Sequence, residues 1–320
     1  MVTTLALALL LVQSGGWEPL DPPPAEPGPG AAMAAYEGCF YAMRGGGTSE
    51  FWASPGGQYW IPLADVPVPV SSGGALASGT TPYLYALAGS KLWRYSIDAD
   101  AWADLGPTPA PVAAGASIAR VWNHLYALRG DRTTDFWRYD IESQCWRVEP
   151  PAPATVGYGG SMAHLDGTLY VVRGNGSDDR FRYPIVEGAW AVDPPLPDPV
   201  SSGGAIAVHE MSLVVLRGAS STTSWRAWPG SRAEPWVEMP APASSGTAMV
   251  DSEGSIHVLF GQQQAFYRYA PPSPAPTLPP APDERSDPDG DCAATAGGTA
   301  GGVPLMAALA FLPYLRRRAS

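Results

Sequence analysis

One short phrase recurs along this 320-residue chain at a nearly fixed spacing. It reads FYAMRGG from Phe40, LYALAG from Leu84, LYALRG from Leu125, LYVVRG from Leu169, LVVLRG from Leu213 and IHVLFG from Ile256, with its glycines at 45, 89, 130, 174, 218 and 261. The steps between those glycines are 41 to 44 residues long. A little beyond each glycine stands an aromatic segment: FWAS, LWRY, FWRY, RFRY, SWRAW and FYRY. Upstream stands a segment of small residues, clearest in SSGGALAS (Ser71 to Ser78), GYGGSMAH (Gly157 to His164) and SSGGAIAV (Ser201 to Val208). Repeats of this length are single supersecondary units, each of which buries its apolar face only against its neighbours.

Within a repeat the apolar residues alternate over short runs broken by Gly, Pro and Asp, the pattern of antiparallel hairpins rather than helices. The small-residue, repeat-phrase and aromatic segments are therefore read as strands a, b and c. Five repeats continue into a fourth strand, d, marked by one tryptophan ahead of prolines: Trp60, Trp102, Trp146, Trp190 and Trp236. The sixth runs straight from FYRYA into PPSPAPTLPP, which leaves three strands and an open edge. The missing strand is expected at the other end of the chain. GWEPLDPPP reads like the other d segments, and its Trp17 lies 43 residues before Trp60. The fold class is therefore all-β: a six-bladed β-propeller of four-stranded blades over residues 16–270, its ring closed by the N-terminal strand in the last blade. The 36 glycines, 36 prolines, 12 tryptophans and 14 tyrosines suit a chain of turns and aromatic cores.

HLYALRGDRTTDFWRYDIESQCW and GTLYVVRGNGSDDRFRYPIVEGAW resemble kelch repeats. Such repeats carry a double glycine after strand b, a tyrosine in strand c and a tryptophan shortly after. The tyrosine corresponds to Tyr95, Tyr139, Tyr183 and Tyr269, whereas the first glycine of the pair is an arginine in most copies. The resemblance speaks for architecture and is nearly silent on activity, because propellers host enzymes and binding modules alike.

The ends of the chain bear on location. LALALLLV (Leu5 to Val12), followed by Ser14, Gly15 and Gly16, resembles the apolar core and cleavage region of a secretory signal over residues 1–15, although its basic flank is missing. Residues 271–291 form a proline-rich acidic linker. Residues 292–320 hold Cys292, a glycine-rich stretch, a short apolar segment and Arg316, Arg317 and Arg318. They resemble the bacterial MYXO-CTERM class of sorting tails, in which Cys292 would be processed and the arginines would stop transfer. An ordinary C-terminal membrane anchor is the competing reading. Both imply an exported propeller at the bacterial cell surface or outer envelope, anchored or released after processing, with envelope sorting machinery as one partner and membrane contact only through the tail.

A net charge of −11 and a single lysine, Lys91, exclude a nucleic-acid surface. Cys39, Cys145 and Cys292 are too scattered for a disulfide framework, and Cys39 and Cys145 are expected to be free and buried. His124, His164, His209 and His257 fall at different offsets from their repeat glycines, so they are not expected to converge on a metal. DPDGD (Asp287 to Asp291) lacks the rest of a calcium loop, and NGS (Asn175 to Ser177) is a short acceptor pattern that arises by chance. No motif calls for a cofactor, and none supplies a catalytic set.

The arginines repeat. Arg94, Arg138, Arg182, Arg226 and Arg268 interleave with aromatics in strand c, where stacking and pairing between blades is expected. Arg44, Arg129, Arg173 and Arg217 end strand b and rim the face that also carries the SSGG segments. Guanidinium groups there suit the carboxylates of an extracellular protein or glycan, and the competing expectation is that each ties down its own loop or a neighbouring Asp. The leading functional expectation is a non-enzymatic binding module. The alternative is an extracytoplasmic sugar-processing enzyme of the epimerase type, since kelch-like propellers include sugar epimerases as well as copper-radical oxidases; the oxidase chemistry needs clustered ligands that the repeats keep apart.

Overall fold

The computed structural model describes residues 16–271. The leader, the linker beyond Pro271 and the tail with Cys292, Arg316, Arg317 and Arg318 lie outside the described residues. The described residues form 24 strands in six four-stranded antiparallel sheets. Blade 1 comprises β2–β5 (Ala32–Tyr36, Cys39–Met43, Phe51–Pro55, Ile61–Pro62) and blade 2 comprises β6–β9 (Ala75–Ser78, Tyr83–Ala88, Lys91–Ser96, Ala101–Pro107). Blade 3 is β10–β13 (Ser117–Val121, His124–Leu128, Phe136–Asp140, Cys145–Val148) and blade 4 is β14–β17 (Ser161–Leu165, Thr168–Val172, Arg180–Pro184, Ala191–Asp193). Blade 5 is β18–β21 (Ala205–His209, Ser212–Leu216, Ser224–Ala227, Glu234–Pro235). Blade 6 pairs β22–β24 (Ala248–Ser252, Ser255–Phe260, Ala265–Ala270) with β1 (Gly16–Pro19) as its outer strand.

Alternation along the strands explains both the sheets and their packing. In β12, FWRYD, only Arg138 and Asp140 escape full burial, because successive side chains point to opposite faces. The second strands, with two blades packed over their faces, are buried almost end to end, as in SLVVL of β19. Between blades the contacts are aromatic. Phe51 of blade 1 meets Trp102 of blade 2 with ring centroids 5.0 Å apart, and Phe136 of blade 3 meets Trp190 of blade 4 at 4.9 Å. Three of the outer tryptophans also donate hydrogen bonds backwards around the ring, whereas the Nε1 atoms of Trp17 and Trp146 are buried without a partner among the described residues. Trp60 Nε1 reaches the Asp21 carbonyl at 2.9 Å, Trp102 Nε1 that of Ala64 at 2.9 Å, and Trp190 Nε1 that of Pro150 at 2.8 Å. A strand too short to contribute much ladder thus still fixes its blade to the preceding one.

Closure takes the form the sequence calls for. β1 runs antiparallel to β24, with Trp17 opposite Tyr269 and Glu18 opposite Arg268. The Trp17 ring lies 5.4 Å from Tyr269 and 6.0 Å, edge-on, from Trp236 of blade 5. Arg268 Nη2 pairs with Glu18 at 2.5 Å, and Leu20 N donates to the Phe266 carbonyl at 2.9 Å. Trp17 therefore takes the outer-tryptophan position of blade 6 through its ring contacts, although its Nε1 makes no hydrogen bond among the described residues. Deleting residues 16–23 should expose the edge of β24 and remove a partly buried tryptophan, costing roughly 3 kcal/mol or more. In a domain of this size that is a fall in Tm of about 6 °C or more, and an unchanged thermal melt would reject closure by this segment.

Candidate ligand site at the axial mouth

Each strand a is entered through a four-residue turn closed by an i to i+3 hydrogen bond. The turns are Gly28–Ala31 (2.9 Å), Ser71–Gly74 (3.0 Å), Ala113–Ala116 (2.8 Å), Gly157–Gly160 (2.7 Å), Ser201–Gly204 (2.8 Å) and Ser244–Thr247 (2.9 Å). Their third residues, Gly30, Gly73, Gly115, Gly159, Gly203 and Gly246, have φ between +78° and +101°, as type II turns require. A side chain at any of them would also collide with the first residue of the next blade's turn. A Cβ on Gly73 would lie 2.7 Å from the Ala113 carbonyl oxygen and one on Gly203 2.5 Å from that of Ser244, and the series ends with Gly246 against Gly28. Six blades meet here backbone to backbone.

The repeat glycine belongs to the same construction. It ends strand b and packs onto its own blade's turn: Gly45 faces Ala31, Gly130 faces Ala116, Gly174 faces Gly160 and Gly218 faces Gly204. Connections b–c and d–a therefore share one face. On that face the turns enclose an axial cavity of about 200 Å3, lined by residues from all six blades and dominated by Gly, Ala and Ser. The hydroxyls of Ser72, Ser202 and Ser245 at its mouth make no hydrogen bond among the described residues, and the central amide N–H groups of the turns, all but the position held by Pro29, find no protein acceptor. A second cavity, of about 260 Å3, adjoins it and is lined by Ser72, Ala113, Ala114, Asp131, Arg132, Gly157 and Tyr158. Tyr158 stands half-exposed between the two.

The rim arginines lie on this face, and three of them are already engaged. Arg44 Nη1 pairs with Glu50 at 2.9 Å, Arg129 Nη1 with Asp135 at 2.9 Å and Arg173 Nη1 with Asp179 at 2.7 Å. Their Nε atoms donate to the carbonyls of Glu26 (3.3 Å), Pro111 (2.9 Å) and Thr155 (2.9 Å). Each guanidinium thus clamps the d–a segment to its own b–c loop. The partner is the acidic residue six positions after the arginine, a spacing that the sequence displays in these three blades. Arg217 departs from the pattern: Thr223 stands where the carboxylate would be, and its Nε is buried without a partner among the described residues.

The strand-c arginines pair within blades, not between them. Arg94 lies 4.7 Å over the Tyr83 ring, Arg138 pairs with Glu149, Arg182 with Asp193 and Arg226 with Glu210, each at 2.9 to 3.0 Å and inside one sheet or its turns. Antiparallel register sets these partners side by side on one face, which sequence spacing alone does not display. Cys39 is free and half-buried, with burial pushing its thiol up to about 11, whereas Cys145, also free, is exposed rather than buried because it opens the outermost strand of blade 3.

The four histidines occupy four separate places. His124 is 3.3 Å from Asp140, His164 accepts from Gly167 N at 3.1 Å, and His257 sits against the Ser255 carbonyl at 3.0 Å. Burial holds His257 down to about 4 and lowers His164 as well. His209 is fully buried, its Nδ1 2.7 Å from Asp251 of the next blade, an inter-blade pair with no sequence signature. No cluster of three or more His, Cys, Asp or Glu side chains among the described residues is arranged to hold a metal ion.

No family model and no curated protein matches the sequence. Among solved structures the chain is similar to that of YjhT, with a TM-score of 0.62 and 13% identity over 78% of this chain and 95% of that one. At that identity the likeness is one of propeller fold.

The clamp makes a pH-dependent prediction. The Arg173 guanidinium, followed by the Ser177 hydroxyl, holds the Asp179 carboxyl below its usual range. A depressed carboxylate contributes stability that is present above its unfolded pKa, ~4, and is lost as pH falls through the folded value. Arg173→Gln should therefore lower Tm at pH 7, and the gap from the parent should close as the pH is taken below ~4. A gap that is constant across that range would mean that the ion pair is not what the arginine contributes.

Proposed function

We propose that this protein is a non-enzymatic, cell-surface kelch-type propeller that presents its axial face to an extracellular protein or glycan. The observation that carries this reading is the mouth of the ring. There, small residues, free serine hydroxyls and unpaired turn amides line a cavity that opens between b–c loops, and loops on a rigid scaffold are where recognition residues concentrate. The separation of the four histidines also weighs against a catalytic centre built around them. The rim set Arg44, Arg129, Arg173 and Arg217 enters this reading unequally. Three of its members shape the loops through their carboxylates, and Arg217 is the member without a carboxylate partner among the described residues.

The purified full-length protein, titrated with a panel of acidic and neutral glycans, should bind at least one saturably. NMR of the same mixtures should show no new anomer or epimer. Catalytic interconversion would instead establish the epimerase-type alternative.

The resemblance of residues 1–15 to a secretory signal and of residues 292–320 to a sorting tail supports export and surface display. If Cys292 is the processing site, Cys292→Ala should leave the tail uncleaved and the protein in the inner membrane. A variant that is processed and displayed like the parent would favour an anchor that makes no use of the cysteine.

A further inference from the structure

The b–c turns of blades 1, 3, 4 and 5 share one geometry, with three left-handed residues starting at the repeat glycine, whereas those of blades 2 and 6 differ in length. Within the shared set and the axial turns, two outsized side chains touch. In blades 1, 4 and 5 the third left-handed residue of the b–c turn is Gly47, Gly176 or Ser220, small in each case; in blade 3 it is Arg132, at φ +56°. In the axial turns the second residue is Pro29, Ser72, Ala114, Ser202 or Ser245, and in blade 4 it is Tyr158. These two large side chains come from adjacent blades, and the Arg132 guanidinium lies 5.8 Å from the Tyr158 ring centroid. Both line the cavity of about 260 Å3 beside the axial one. Arg132 forms no ion pair among the described residues, unlike Arg129 three positions earlier, which is 2.9 Å from Asp135 and 3.8 Å from Asp131. It is exposed, and Tyr158 is 48% exposed, so neither side chain is held there by core packing.

We infer that the Arg132–Tyr158 pair is the specificity site of this face and that it takes a carboxylate-bearing saccharide end, a uronate, seated over the axial mouth. The inference rests on the binding-module reading and gives it a ligand class. A guanidinium beside an aromatic ring, here 5.8 Å from its centroid, keeps its edge donors free for bidentate contact with a carboxylate. The tyrosine edge, the hydroxyls of Ser72 and Ser202 and the unpaired turn amides supply the dispersed donors and acceptors that a polyhydroxylated ring needs. Each cavity falls below the ~300–1,000 Å3 of sites for drug-sized ligands, which suits a terminal sugar unit. An acidic peptide fits less well, since the mouth offers a main-chain segment neither a sheet edge nor a large apolar pocket. Asp131 lines the same cavity but lies 3.8 Å from Arg129, which leaves Arg132 as the cation there without an ion-pair partner among the described residues.

The test uses the full-length protein, calorimetric titration and three probes: a short oligogalacturonate, the matching neutral oligogalactan and poly-glutamate. The uronate should bind at least tenfold more tightly than the neutral analogue. Arg132→Ser should erase that preference, and Tyr158→Ser should weaken both sugars about fivefold or more. Each substitution installs a residue that an equivalent blade already carries, so thermal melts should match the parent and loss of binding will not reflect unfolding. The inference is overturned if the uronate does not bind at millimolar concentration, if uronate and neutral sugar bind within twofold, or if the variants bind like the parent. Poly-glutamate matching the uronate on the same two residues overturns the saccharide assignment. Binding of another glycan, unaffected by these substitutions, leaves the module reading standing without this site; turnover of a bound uronate does the reverse.

Discussion

Six polypeptide turns meet around one axis, and glycine alone lets them do so. The third residue of each axial turn needs a positive φ and has the next blade's carbonyl where a Cβ would go, so steric and conformational demands coincide at one atom. The repeat glycine at the end of strand b presses on the same turn from behind in most blades. Everything further out follows from that approach. Once the inner strands are held this close, the second strands are enclosed on both faces, and the wider gaps nearer the rim are filled by phenylalanine, tyrosine and tryptophan. The gradient from glycine at the axis to tryptophan at the rim is the taper of a blade written in side-chain volume.

A ring held by neighbour contacts has one weak point, where the chain's two ends must be joined. Here the joint is a strand, and β1 supplies the ladder, the outer tryptophan and an ion pair across the seam through Glu18 and Arg268. The backward hydrogen bond from Trp60 to the Asp21 carbonyl then ties blade 1 to the segment that follows β1. The two ends of the propeller are thereby held from both sides of the closing strand, which spreads the load of closure over two blade boundaries.

The architecture was legible because repetition multiplies weak signals. A lone YALRG says little, but its recurrence at a constant step fixes strand order, blade number and the need for Trp17 at the N-terminus. What escaped the sequence is what depends on distance between repeats. The strand-c arginines look alike along the chain, but their partners are set by cross-strand register, so Glu149, Asp193 and Glu210 lie in the same blade rather than the next. Cys145 reads as an apolar residue at a strand start; the strand proves to be the solvent-facing one. The His209–Asp251 pair spans two blades with no fixed spacing to announce it. The clamp on the rim arginines was within reach, since the acidic residue recurs six positions downstream, and its replacement by Thr223 singles out Arg217.

Repetition also decides where function can be sought. Residues that recur from blade to blade are accounted for by packing, and this covers the turn glycines, the outer tryptophans and, in blades 1, 3 and 4, the arginine clamps with their carboxylates. A propeller binds one small ligand only if its near-symmetry is broken, because six equivalent half-sites would offer the ligand no preferred orientation. Among the b–c and axial turns that share one geometry, a break falls at the boundary of blades 3 and 4, where an arginine and a tyrosine replace small residues. Arg132 shares its left-handed conformation with Gly47, Gly176 and Ser220, so the turn itself accounts for its backbone. What packing leaves unexplained is its exposed guanidinium, which has no ion-pair partner among the described residues and lies beside the Tyr158 ring, where a ligand anion would pair with it.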